Sequence, residues 1–169
     1  MNPQSVFLLA PLIPMVGRSA LFLRHRAALM ERVATEHAER AAYQTAALTQ
    51  AGFSFSGLLA LAVVHSASST DLRLPLYHML TSFLCYFVAA EVHAMKWRRW
   101  HELLAGTLGE AASLSLLLAV STTLLFVDTD PAAGRVVLSI SGLAWLVTHL
   151  ARLRYTAHQL AESESRASG

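Results

Sequence analysis

The sequence predicts an all-α integral membrane protein with four transmembrane helices and an N-terminal cytosolic helix that extends the first span. Three observations carry this. The 169-residue chain is 54% hydrophobic and only 14% charged, against about 25% charged residues in an ordinary soluble domain. The charges are segregated, which leaves nearly uncharged stretches at roughly 46–66, 74–95, 103–127 and 136–151. Each is close to the ~20 residues a helix needs to cross the hydrocarbon core. Backbone amides in lipid must bond internally, and the short alternating strands of a β-barrel do not stand out in the sequence, so these stretches read as helices.

Taken in order, residues 1–17 read as an interfacial or disordered N-terminus. The apolar run Val6–Val16 is too short to span, Pro11 and Pro14 interrupt it, and no basic segment precedes it as in a cleaved signal peptide. Residues 18–45 contain neither Gly nor Pro and are rich in Ala, Leu, Arg and Glu, all good helix formers. Nothing separates them from the first span, so they predict one cytosolic basic helix running into it. The alternative is a separate amphipathic helix lying on the membrane surface. Residues 46–158 form the expected four-helix transmembrane domain. Its outer loop, Ser66–Leu74, closes on Pro75, which suits a first helical turn. The inner loop carries Trp97 and Trp100 as interface anchors. The third loop, Asp128–Arg135, is a turn by composition. Residues 159–169 are a polar tail expected to fray.

Orientation follows from the basic residues. Arg18, Arg24, Arg26, Arg32 and Arg40 precede the first span, Lys96, Arg98 and Arg99 fill the second loop, and Arg152, Arg154 and Arg166 follow the last. The other two loops hold only Arg73 and Arg135. Eleven basic residues against two put both termini and the second loop in the cytoplasm of a multi-pass cell-membrane protein. The basic residues are thus topology signals and contacts for membrane lipid, and no nucleic-acid partner is expected. The single cysteine, Cys85, lies within the second span and forms no intrachain disulfide.

Within the first span, Gln50, Ser54, Gly57 with Leu58, Leu61 and His65 fall at helical spacing and share a face. Close helix packing through Ser56 and Gly57 accounts for such a face. So does a pore face with a hydrophobic constriction and an ion-coordinating ring at its mouth. Other polar residues within the spans, Glu91, His93, Glu110 and His149, all fall toward the inner leaflet by residue count. They suit either an acid–histidine cluster, for a metal or a proton relay, or a set of interhelical hydrogen bonds. No motif for covalent catalysis is present, and an enzyme is not expected.

Ser56–His65, SGLLALAVVH, resembles the S-G-F-A-M-V-A-M-V-E pattern in the first span of the Orai family of calcium channels. Asp71, Pro75, Cys85, Val88, Val92 and His93 continue the same register, and His149 with Arg152 matches a His-x-x-Arg pair in the last span. The resemblance covers about residues 40–158. It implies a homo-oligomeric channel, a hexamer, with calcium as permeant ion and no cofactor. Its pore would be lined by Gln50, Ser54, Gly57, Leu58, Leu61 and His65, with Asp71 at the outer mouth.

Four departures qualify what the resemblance implies, one being that Ala119 or Val120 stands where the family has an acidic residue in the third span. His65 stands where the family has its selectivity glutamate, and Gln50 where it has a basic residue. An imidazole ring suits zinc or copper better than calcium, so His65 is a candidate metal ligand and calcium selectivity is expected to be weak. The cytosolic extension that binds the family's STIM activator is absent after His158, which puts that partner in doubt. Two other classes compete with the channel. One is a membrane enzyme or metal-handling protein using Glu91, Glu110 and His149, of which the MAPEG glutathione transferases share the size and span number. The other is a nonconducting scaffold.

Overall fold

The computed structural model describes residues 8–30, 37–67, 70–95, 98–127 and 131–168, and these are almost entirely helical. A 3-10 turn, Ala10–Leu12, leads into α1 (Ile13–Arg24) and the short α2 (Arg26–Leu29). Four long helices follow: α3 (His37–Ala67), α4 (Arg73–Ala94), α5 (Arg99–Val127) and α6 (Pro131–Ser168). Residues 38–67, 99–126 and 132–165 are long and apolar enough to cross a membrane. At 22 residues α4 has a spanning length, but His78, Thr81, Ser82 and Glu91 make it more polar. The inner-loop anchor Trp97 and residues 128–130 lie outside the described residues, and the loop expected at Asp128–Arg135 is helical from Pro131 onward, as the start of α6.

The long helices pack in sequence, α3 on α4, α4 on α5 and α5 on α6. α5 is the central element: 56% of its apolar window is buried, against 6% for α6. Small residues on α4 and α5 allow their close approach. Ala89 and Val92 meet Ala105 and Leu108, and such pairs let helix backbones come together in lipid.

The segment before α3 differs from the expected continuous helix. The backbone leaves helical geometry at His25, with φ −117° and ψ 35°, and the chain folds back so that α1 and α2 lie beside α5 and α6. Burial is the reason. Ala28 and Leu29 form a cluster with Leu103 and Leu160, with Phe22 and Trp100 packed against it. A straight extension of α3 would leave those side chains exposed. The two prolines also fit, because Pro11 lies in the 3-10 turn and Pro14 in the first turn of α1, where a missing N–H costs nothing.

The expected fraying tail is instead the end of α6, which continues to Ser168. Leu160 is buried at 4% exposure, and Glu164 Oε2 lies 3.1 Å from His25 Nδ1. The polar composition of 159–169 concealed one apolar side chain with a pocket waiting for it.

Two glycines test the packing. A Cβ at Gly57 would meet the terminal methyl of Met79 at 2.9 Å, but one at Gly134 would meet Leu125, including its backbone nitrogen at 3.0 Å. A thioether end swings aside and a backbone does not. Gly134→Ala is therefore expected to cost about 1–3 kcal/mol, and Gly57→Ala clearly less. Unfolding curves of the two variants in the same detergent check the order.

Candidate functional site

Two residues of the face predicted for a pore, Ser54 and Gly57, are turned toward α4. Ser54 is fully buried, its hydroxyl 3.0 Å from that of Ser82, and Gly57 sits against Met79. Ala47 and Ala51 continue that buried stripe. Leu58, Leu61 and His65 are half-buried and Gln50 is exposed. His65 Nδ1 lies 3.2 Å from the Thr70 carbonyl oxygen and 3.4 Å from the Leu72 N–H. Its ring thus bridges the end of α3 to the start of α4. Asp71 accepts a hydrogen bond from the Arg73 backbone N–H at 3.1 Å, a local turn at the surface. The opposite face of α3, with Phe53, Phe55, Leu59 and Val63, is exposed.

The polar residues of the other spans divide. Glu91 is exposed on α4. His93 stacks on Tyr43 of α3, with ring centroids 5.5 Å apart. Glu110 and His149 do come together: His149 Nδ1 lies 2.6 Å from Glu110 Oε2, where the ring N–H donates to the carboxylate. The side chains are 5% and 3% exposed. Trp145 stacks flat on His149 at 4.9 Å and donates its indole N–H to the Glu110 carbonyl oxygen at 3.3 Å. Trp145, His149 and Arg152 recur at the helical interval that puts them on one face of α6.

The third member of this cluster comes from an unexpected place. Arg18 of α1 donates to Glu110 Oε1 at 2.6 Å, and its side chain is 8% exposed. Gly106 makes room for it, since a Cβ there would sit 3.1 Å from Arg18 Nη1. Sequence reasoning placed Arg18 in a cytosolic helix. Its signal was present nonetheless, as one arginine inside an otherwise uncharged run from Val6 to Leu23, with Glu110 an equally isolated acid in the third span. A charge in an apolar segment needs a partner.

Arg152 is held differently. Its Nη1 is 3.8 Å from Glu110 Oε1, and its side chain is 67% exposed. Both carboxylate oxygens already receive shorter bonds, so the guanidinium turns toward a cleft of about 730 Å³. The cleft lies between α3 and α6, over a floor of α4 and α5. At its end near the start of α5 are Glu39, Tyr43, His93, Glu102 and Gln159, and deeper walls are Ala46, Ala47, Gly109 and Ser113. Tyr86 and Ser113 share a hydrogen bond of 3.0 Å, and Gln159 donates to the Tyr155 hydroxyl at 2.6 Å. Within one chain, no three His, Cys, Asp or Glu side chains among the described residues group closely enough to hold a metal ion.

The class these features define is a helical membrane-type bundle with a buried ion cluster and a polar lateral cleft. Comparison with protein-family models, curated proteins and solved structures found no match.

Proposed function

We propose that this is a multi-pass cell-membrane protein that binds a phospholipid of the cytoplasmic leaflet in the cleft between α3 and α6. In this reading all four long helices cross the bilayer, and the end bearing Arg98, Arg99, Arg152 and Arg154 is cytoplasmic. One observation carries it: Arg152 lines a lateral cleft with most of its hydrogen-bonding capacity unspent. A guanidinium binds phosphate through two parallel hydrogen bonds. Arg152 follows the apolar part of α6 directly, which is the depth of lipid phosphates. Tyr155 and Gln159 offer hydroxyl and amide groups to the rest of the headgroup. Ala46, Ala47 and Gly109 leave space for an acyl chain.

The test is lipid retention by delipidated protein, read by native mass spectrometry. Phosphatidylglycerol should remain bound while diacylglycerol of the same chain length is lost. Arg152→Gln is expected to weaken binding by roughly ten- to a hundredfold, from the loss of a charged hydrogen bond of about 1.5–3 kcal/mol. Equal retention of the two lipids, or indifference to Arg152→Gln, would sink the proposal. Inorganic phosphate should not compete.

A second reading is the Orai-like oligomeric channel. The exposure of Gln50 and the half-burial of Leu58, Leu61 and His65 favour it, because a neighbouring subunit can reach them. It requires Ser54 and Gly57 to leave α4. Its test is cation flux in liposomes, where a hydrophobic constriction at Leu61 predicts more leak from Leu61→Ala.

A further inference from the structure

We infer that residues 8–29 cross the membrane as a fifth segment, so that residue 8 lies on the face opposite to residue 160. The segment runs beside α5 in the opposite direction and beside α6 in the same one. Its contacts descend in register: Ala10 packs against the cluster of Leu114, Leu118 and Trp145, Arg18 pairs with Glu110, and Leu29 packs in a cluster with Leu103 and Leu160. At its far end the Tyr77 hydroxyl donates to the Leu8 carbonyl oxygen at 3.3 Å. Tyr77 lies near the start of α4, the end remote from Arg98 and Arg99.

Length agrees. At ~1.5 Å per helical residue, Ala10 to Leu29 covers about 28 Å, close to the ~30 Å of a hydrocarbon core. A helix lying on the membrane surface could not reach the Leu114–Leu118 cluster, about fourteen to eighteen residues along α5 from Trp100 and so roughly 21–27 Å away by the same rise. Charge agrees as well. Arg18, the one charged residue from Leu8 to Leu23, is 7% exposed and is neutralised by Glu110, itself 2% exposed. Residues 1–7 carry no basic side chain, while Arg24 and Arg26 stand in the last turns of the segment and Arg32 and Arg40 follow it before the apolar part of α3. The positive-inside bias is therefore kept with residue 8 outside. The Arg18–Glu110–His149 cluster then has a purpose, as the intramembrane pairing that lets a charged segment insert. This differs from the expectation that both ends share the cytoplasmic side.

Single cysteines in a Cys85→Ala background test the inference with an impermeant maleimide, on intact cells and after permeabilisation. Gln4→Cys should label like Ser66→Cys, at the far end of α3, and unlike Ser163→Cys on α6. The comparison holds whichever face is exterior. A Gln4→Cys variant that labels like Ser163→Cys would overturn it. As a measure of depth, Ala10→Cys should cross-link with Leu114→Cys or Leu118→Cys in native membranes, and failure to cross-link with both would count equally against the inference.

Discussion

Glu110→Leu is expected to be the most damaging single substitution in the chain, at about 3–5 kcal/mol. Glu110 accepts from Arg18 and His149, each at 2.6 Å, and all three are buried. Leucine would leave a guanidinium inside the bundle with no counter-charge, because the His149 imidazole cannot supply the negative charge of the carboxylate. The complementary change makes this a test of pairing and not of packing. Arg18→Leu combined with Glu110→Leu removes both charges, and buried ion pairs replaced by apolar residues are often neutral or stabilising. The double variant should therefore recover most of the loss. Reversible unfolding in bicelles, run as a double-mutant cycle, reads the coupling directly. Additive losses would mean that Arg18 and Glu110 do not sense each other.

Leu29→Ala is expected to cost about 2–5 kcal/mol, the range for deleting a buried leucine side chain. Leu29 is 1% exposed and joins α2 to Leu103 of α5 and Leu160 of α6. It closes the end of the bundle where α2 meets the start of α5. Leu160→Ala empties the same cluster from the other side, so the two losses should not add. Proteolysis gives a second readout. In both variants the end of α6 beyond Leu160 should become sensitive, since the His25–Glu164 contact of 3.1 Å depends on the same docking. Unchanged proteolysis would mean that the tail is held by something other than this cluster.

The helical class and the spanning lengths of α3, α5 and α6 were determined by composition and by the spacing of charges. Lipid leaves a backbone few choices, and a 20-residue run without charge announces itself in one dimension. The pairing of Glu110 with His149 was also within reach, as two ionisable residues at similar depth. Three things were decided by tertiary structure alone. One was the docking of residues 8–29: Arg18 reads as the end of an apolar run until Glu110 is seen to neutralise it. Another was the facing of α3. Ser54, Gly57, Leu61 and His65 share a stripe whether they meet a pore or another helix, and within one chain Ser54 and Gly57 meet Ser82 and Met79 of α4. The last was the cleft, whose lining comes from four helices at separations of up to 120 residues, from Glu39 to Gln159. Helical periodicity reports which residues share a face. It carries no record of what that face meets, because the partner's position depends on the angle and order in which the helices pack.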